Sequence, residues 1–344
     1  MAKSNWRKLH DNELDWTLFK IRAQIIQTIR TFFQSHDFLE VEAPLLTPYP
    51  TLDSNIHSIE TTLCSNTGKK QSLYLHTSPE HSMKKLLAAG AERIFYLGKV
   101  FRDRELTRFH NPEFTMLEWY RTRATYEDIQ KDTEQLVNYI SQEIFSKGHI
   151  DFQNDKIDLT PPWKRLTLNE LFKHHLGIEL DKNWDIAELR RAANTCNIHF
   201  EPDDAWDILF FRIFLEKIEP HLGFPRPTFV LDYPLKMGLM AKRKKDNPEW
   251  VERVELYIGG MELANGYSEL LDADEQRKRF EQEQFKKNAD NDLHYPIDEE
   301  LISALDMAIP PSSGIALGVD RLIMLFTNKT DIRDVLLFPV HQWL

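Results

Sequence analysis

The stretch FRDRELTRFHNPEFTMLEWY, residues 101–120, divides into a charged loop and an alternating strand. From Phe114 to Tyr120 a period of two places Phe114, Met116, Glu118 and Tyr120 on one face. Thr115, Leu117 and Trp119 take the other, which is apolar enough to be core. The first face carries an aromatic ring, an acid and a phenol, which suits binding better than packing. Upstream, residues 94–102 also alternate like a strand and deliver Arg102 at their end. The loop between, 103–113, adds Arg104, Arg108 and His110. Planar guanidinium forks fit phosphate oxygens, and Phe114 can stack on a purine. An exposed hairpin with scattered charges reads the same way in isolation.

Working outward, Leu18, Ile21, Ile25, Ile29 and Phe32 recur at helical spacing, with Ile26 and Phe33 widening the stripe. This predicts a long amphipathic helix over about residues 15–35. Phe38 to Ala43 reads as a strand ended by Pro44, which cannot donate a ladder hydrogen bond. Leu73 to Thr77 reads as another. Ser78, Pro79 and Glu80 then supply a helix N-cap, a first-position proline and a first-turn acid. Met83, Leu86 and Leu87 give that helix its buried face, and Gly90 suits its C-terminal end. From about 124 to 225 the pattern turns helical, with a Thr167/Glu170 capping box, and predicts a helical insertion buttressing a sheet. Strands resume near Thr228–Leu231 and Val251–Leu263. Strands set apart by helices, without regular βαβ alternation, predict one α+β domain over 1–344 on a mostly antiparallel sheet flanked by helices.

The totals exclude several classes. Of the 344 residues 42% are hydrophobic and 28% charged, ordinary for a globular chain that can bury its own core. Cys64 and Cys196 are the two cysteines, far apart and in no metal-ligand spacing, so a disulfide framework is not expected. Met1 to Trp16 carries charges throughout and no apolar core of a signal peptide, and no run is long enough to cross a bilayer. A cytoplasmic protein with no membrane partner is expected. The net charge of −11 argues against a broad grip on nucleic acid. The basic run Lys242–Lys245 precedes Asp246, Asn247 and Pro248 and reads as a solvated loop.

Two further constellations carry chemistry. In ELANGYSE (262–269), Asn265-Gly266 reads as a two-residue hairpin loop that sets Glu262 opposite Glu269. Facing carboxylates repel. A solvated hairpin would tolerate them, and a divalent cation such as Mg²⁺, held partly by substrate phosphates, would use them. In SGIALGVDR (313–321), small residues alternate with apolar ones, so a ligand could approach the backbone, and Arg321 opens a helix. Tight strand-to-helix packing would explain the same pattern.

Taken together, these segments resemble the three ordered motifs of the class II aminoacyl-tRNA synthetases, and within them the lysyl branch. Motif 1 is similar to the long helix plus FLEVEAP (38–44), motif 2 to Phe101–Phe114 and motif 3 to Gly314–Arg321. The resemblance covers about residues 15–340 and is weakest in the insertion. It implies ATP and Mg²⁺ as cofactors and a homodimer formed through motif 1. It implies catalytic roles for Arg102, at the α-phosphate, and Arg321, at the γ-phosphate. The implied ATP set is Arg102, Asp103, Arg104, Glu105, Asn111, Phe114, Glu262, Leu263, Gly318 and Arg321, with Phe114 and Arg321 enclosing the adenine. Glu262 and Glu269 are the implied metal ligands. The implied amino-acid set is Ser78, Pro79, Glu80, Glu118, Tyr120, Asn265, Glu269 and Ala316, where two acids and a phenol suit a doubly aminated substrate.

Three departures bear on function. The motif 1 helix starts near residue 15, leaving no room ahead of it for the anticodon-binding barrel of lysyl-tRNA synthetases, so tRNA is not expected as a partner. Ala316 stands where the lysyl enzymes usually have glycine, and an added methyl in a tight pocket can shift which amine geometry fits. Arg104 occupies the usual place of an adenine-reading glutamate, and Glu105 beside it is the alternative reader. The motif 2 tail HNPEFTMLEWYR (110–121) is similar to that of the synthetase paralogs that ligate (R)-β-lysine to elongation factor P. The resemblance therefore implies activation of (R)-β-lysine, or lysine, and transfer to a lysine ε-amine of elongation factor P. Charging of tRNA and a non-catalytic regulatory role are the competing expectations.

Overall fold

A computed structural model describes residues 3–180, 185–290 and 295–343. Its centre is an eight-stranded sheet, numbered here along the chain: β1 Leu39–Glu40, β2 Arg93–Phe101, β3 Glu113–Thr122, β4 Lys164–Thr167, β5 Thr228–Pro234, β6 Trp250–Ile258, β7 Met261–Ser268 and β8 Ser312–Gly318. The spatial order is β1-β2-β3-β8-β7-β6-β5-β4. The outermost pairings, β1 with β2 and β5 with β4, are parallel, and the five between them are antiparallel. The expected α+β class with a mostly antiparallel sheet is the one observed.

The two faces of β3 separate as its alternation predicts. Leu117 and Trp119 join the large core beneath the sheet, while Met116 and Tyr120 belong to a second cluster on the opposite side. The long helix Trp16–Ser35 is capped by Asp15, which accepts from Thr17 N at 3.0 Å. It buries Ile25, Ile29, Phe32 and Phe33 against the Leu117 side. Arg22 of this helix donates to Asp320 Oδ1 at 2.5 Å, and Asp320 Oδ2 accepts from the Thr115 backbone N–H at 2.7 Å. Asp320 is buried, so one carboxylate ties the long helix, β3 and the helix Val319–Phe326 together. The helix Glu80–Ala88 starts one residue later than expected, with Pro79 at its N-cap position; Ser78 Oγ still accepts from Glu80 N at 3.0 Å, and Gly90 follows the far end at φ +100°.

Three further expectations are corrected. The Phe38–Ala43 run forms only the short strand β1, because it lies at the sheet edge with a neighbour on one side. The 124–225 region is not helical throughout. The helix Tyr126–Phe145 packs into the main core, a hairpin follows (His149–Phe152 with Asp155–Asp158), and β4 joins the sheet. The helices Leu168–Leu176, Ile186–Thr195 and Trp206–Lys217 then form their own apolar cluster; residues 181–184 lie outside those described. The capping box is present: Thr167 Oγ1 and the Glu170 carboxylate each accept from the other's backbone.

The third correction concerns Asn265-Gly266. Both residues lie inside β7, paired with Glu255 and Val254 on one side and Ala316 and Ile315 on the other. The turn is made instead by Gly259-Gly260, at φ +62° and +72°, the left-handed pair that a two-residue hairpin demands. Glu262 pairs with Tyr257 and Glu269 bridges to Ala241, so the two acids are not opposite one another. Between the pairs Leu256–Ala264 and Tyr257–Glu262 the strand β7 takes two steps while β6 takes one. Leu263 is the extra residue of a β-bulge. Leu263 and Ala264 both face the core as a result, and Glu262 returns to the face that carries Asn265 and Tyr267.

Candidate active site

A cavity of about 460 Å³ opens over the centre of the sheet, walled by β3, β6, β7 and β8, the 102–111 loop, the helix Glu80–Ala88 and the 44–58 segment. That volume suits a ligand of nucleotide or amino-acid size. Register places its floor in rows. Ile94, Tyr120, Gly314, Tyr267 and Arg253 are cross-strand neighbours, and so are Tyr96, Glu118, Ala316, Asn265 and Glu255. Gly314 leaves room for the Tyr120 ring, since a Cβ there would stand 2.2 Å from Tyr120 Cε1.

One end of the cavity is acidic. Glu118, which is 2% exposed, accepts from Ser78 Oγ at 2.7 Å and from Tyr120 OH at 2.7 Å. Glu80 accepts from Tyr267 OH and lies 2.9 Å from Lys84 Nζ. Behind the wall Lys84 also meets Glu269 Oε2 at 2.6 Å, both side chains fully buried. Burial and the nearby Glu80 charge push Glu118 up to about 7. Burial pushes Glu269 up to about 8, against the pull of Lys84. Glu80 is lowered instead: burial opposes ionisation, but Lys84 and the Tyr267 hydroxyl outweigh it.

The other end is basic. The Arg102 guanidinium sits 5.2 Å from the Phe114 ring centroid and 3.6 Å from Glu105. Its Nε is buried without a hydrogen-bond partner among the described residues, a donor suited to an anionic ligand. Arg321 donates to the Glu262 carbonyl at 2.7 Å and to His110 Nε2 at 2.6 Å. Burial, Arg321 and Arg102 push His110 down to about 4, so its ring is neutral and accepts. Its Nδ1–H then donates to Thr107 Oγ1 at 2.8 Å. Asn111 accepts from Val340 N at 3.0 Å and donates to Glu113 O at 2.6 Å, which fixes the loop beside the cavity.

Fourteen of the expected residues share this wall: Arg102, Glu105, Asn111, Phe114, Glu262, Leu263, Gly318 and Arg321 toward the basic end, and Ser78, Glu80, Glu118, Tyr120, Asn265 and Ala316 toward the acidic end. Asp103 and Arg104 are exposed and off it, with Arg104 in the left-handed backbone region at φ +63°. Of the two adenine-reading alternatives, Glu105 is thus the one that faces the cavity. Pro79 and Glu269 are buried behind the wall. Lys84, Tyr267 and Arg253 were not singled out from sequence. Arg253 donates to Asn265 Oδ1 at 3.2 Å and to Glu255 at 2.6 Å, holding both in place. Only Lys84 had a local signal, its i,i+4 spacing from Glu80.

Among the described residues no group of three or more His, Cys, Asp and Glu side chains is arranged to hold a metal ion. Mg²⁺ takes one or two carboxylates and draws its other ligands from phosphate and water. Glu262 fits that demand: its side chain is 40% exposed, faces the cavity and lies 3.8 Å from Arg321. Glu269 fits less well, because it lies off the cavity wall and its Oε2 stands 2.6 Å from Lys84 Nζ. The hairpin that would set Glu262 opposite Glu269 is absent, so no facing pair of carboxylates calls for an ion between them, and their pairing as metal ligands rests on the resemblance alone.

Comparison with known proteins agrees with this geometry. Residues 2–342 match the family described as tRNA synthetases class II (D, K and N). The chain is 38% identical over 325 residues to the lysine–tRNA ligase of Moorella thermoacetica, covering 94% of this chain and 65% of that protein. It is 37% identical to the Pelotomaculum thermopropionicum enzyme of the same name, covering 94% and 63%. The Legionella pneumophila lysine–tRNA ligase is 36% identical over 331 residues, covering 95% and 65%. The chain thus spans just under two thirds of the length of these relatives. Among the described residues no helix is long and apolar enough to cross a membrane.

Proposed function

The chain belongs to the class II tRNA synthetases of the D, K and N group, and from that premise we propose that it activates a lysine-type diamino acid with ATP and transfers it to a lysine ε-amine of elongation factor P. The carrying observation is one cavity with an acidic end at Glu80 and Glu118 and a basic end at Arg102 and Arg321. The amino acid's two ammonium groups match the acidic end, each needing a charge-assisted partner. Its carboxylate then points toward the arginines.

In the first step a carboxylate oxygen attacks the α-phosphorus, the bond to the bridging oxygen of the β-phosphate breaks, and pyrophosphate leaves. Arg102 supplies its unpaired Nε–H to the charge that builds on the phosphoryl oxygens. Arg321, braced by His110 and the Glu262 carbonyl, holds the departing phosphates. Phe114 offers its ring to the adenine, and Glu105 is placed to read its edge. Mg²⁺, when bound at Glu262, would neutralise phosphate charge. In the second step the neutral acceptor amine attacks the acyl carbon, AMP leaves with the C–O bonding pair, and the amine gives up a proton as the amide forms. Positioning and electrostatics do most of this work.

Ala316 supports (R)-β-lysine as the preferred isomer, because its methyl narrows the floor between Glu118 and Asn265. The exposed Leu39, Leu45 and Leu46 beside the sheet edge support a homodimer built through this side. A second reading, esterification of tRNA, is favoured by what the relatives are called. Pyrophosphate exchange into ATP should depend on a lysine isomer, with (R)-β-lysine the best. Labelled amino acid should then pass to elongation factor P rather than to bulk tRNA. Exchange with no lysine isomer would remove the activation step, and label on tRNA alone would install the second reading.

A further inference from the structure

We infer that Lys287 is a positioning residue: from the far end of the helix Ala273–Asp290 it latches the 51–56 segment against the cavity, and so keeps the amino acid in place until it is adenylated. The inference rests on the reading above, that the cavity adenylates a diamino acid.

Residues 51–58 form no helix or strand beyond the single bridge His57–Asp103. Yet Thr51, Leu52, Asp53 and Ile56 line the cavity, and Leu52 is buried in the cluster that holds Met116 and Tyr120. Much of the segment's hydrogen bonding is local: Thr51 N donates to Ser58 Oγ at 3.2 Å, Asn55 N to Asp53 Oδ1 at 2.8 Å and Ile56 N to Asp53 O at 3.2 Å. Among the described residues, two ties lead out of it. Asp103 N donates to His57 O at 2.8 Å, and Lys287 Nζ donates to Thr51 O at 2.6 Å and to Ile56 O at 2.8 Å.

Lys287 is 5% exposed and forms no ion pair among the described residues. A buried ammonium without a carboxylate is costly unless its hydrogens are received. The two carbonyls receive it, and the Tyr295 ring centroid stands 5.2 Å away. Burial pushes Lys287 down to about 8, although Asp53 and Glu283 draw it the other way. The same helix treats another stretch of the wall alike: Gln276 donates to Leu239 O at 3.1 Å and Arg279 to Ala241 O at 2.8 Å. That stretch has further support, since Leu270 N donates to Met240 O at 3.0 Å and Lys242 N to Ser268 O at 2.8 Å. The 51–56 segment has no such strand beside it, so its place depends on Lys287.

The test removes the donor in steps: Lys287→Arg keeps a charged donor, Lys287→Gln a neutral one, and Lys287→Met none. Hydrogen exchange of the amides at 53–57 and the kinetics of pyrophosphate exchange are measured on each full chain. In Lys287→Met the 53–57 amides should exchange about tenfold faster or more, while β3, β7 and β8 stay as slow as in wild type. The KM for lysine should rise about tenfold, with kcat and the KM for ATP held within about threefold. Lys287→Gln should fall between, and Lys287→Arg should stay within about threefold of wild type. A merely structural role predicts faster exchange throughout the chain and a kcat that falls as KM rises. That result, Lys287→Gln matching wild type in both readouts, or Lys287→Arg as impaired as Lys287→Gln overturns the inference. The Arg and Gln variants decide it even where Lys287→Met does not fold. Wild-type protein showing no pyrophosphate exchange with any diamino acid would instead overturn the reading of the site, while hydrogen exchange at 53–57 still reports on the latch, which separates the two failures.

Discussion

At the scale of single residues, the acidic end is a balance of charges held out of water, and pH should disturb it in a defined direction. Glu118 and Glu269 titrate near 7 and 8 in the folded chain, above the usual 4.5 for a free glutamate. Between those values the folded protein binds protons that the unfolded chain has shed, so stability falls as pH rises from about 4.5 through the folded values. The ligand-free protein should therefore melt at a lower temperature at pH 8.5 than at pH 6.5. Lysine should raise the melting temperature more at pH 8.5, where the carboxylates are ionised to receive it. Equal lysine-induced shifts at both values would contradict the assignment. Gly314→Ala tests the floor: the added Cβ would strike Tyr120, and overpacking of about 1–3 kcal/mol should raise the KM for lysine by roughly tenfold. The KM for ATP should stay close to wild type. Ala316→Gly should shift preference toward α-lysine, read by the ratio of exchange rates for the two isomers. Glu80, Glu118 and Tyr120 were legible because helix-start chemistry and strand alternation are local. Tyr267 and Arg253 were not, because their roles depend on strands that pair far apart in sequence.

At the scale of elements, periodicity located the long helix, the strands β2 and β3 and the start of the Glu80–Ala88 helix close to where they stand. It failed where tertiary pairing overrode a local preference. Asn265-Gly266 is a strong turn signal, yet strands on both sides claim its backbone, and the adjacent Gly259-Gly260 pair turns the chain instead. The bulge at Leu263 has no signature of its own, since both Leu263 and Ala264 are apolar and either could be the inward residue. In the 124–225 region the short strand β4 was hidden among helical segments and is defined by its parallel partner β5. Its capping box was legible because every group in it lies within four residues. Thr167→Ala should cost about 1 kcal/mol and lower the melting temperature by a few degrees, with exchange kinetics unchanged. A large loss of activity would mean that this helix does more than buttress.

At the scale of the whole molecule, the class of fold was legible because apolar alternation and helix spacing recur over the full length, whereas strand order was not. The order brings Glu80, Glu118, Glu262 and Arg321 around one cavity from four separate stretches of chain. Asp320 locks that arrangement to the long helix through Arg22 and Thr115. Arg22→Met should loosen the neighbouring Arg321, raising the KM for ATP several-fold while the KM for lysine holds; equal changes in both would point to general loosening. The extra residue in β7 has a consequence for how this gene can vary. Another aliphatic residue in place of Leu263 would keep the strand's count and leave Glu262 turned outward. Loss of that one codon, with the reading frame intact, would swing Glu262 toward the oily side and strand the nucleotide end of the cavity without its acid. At this point in the chain heredity must conserve a length more strictly than a letter.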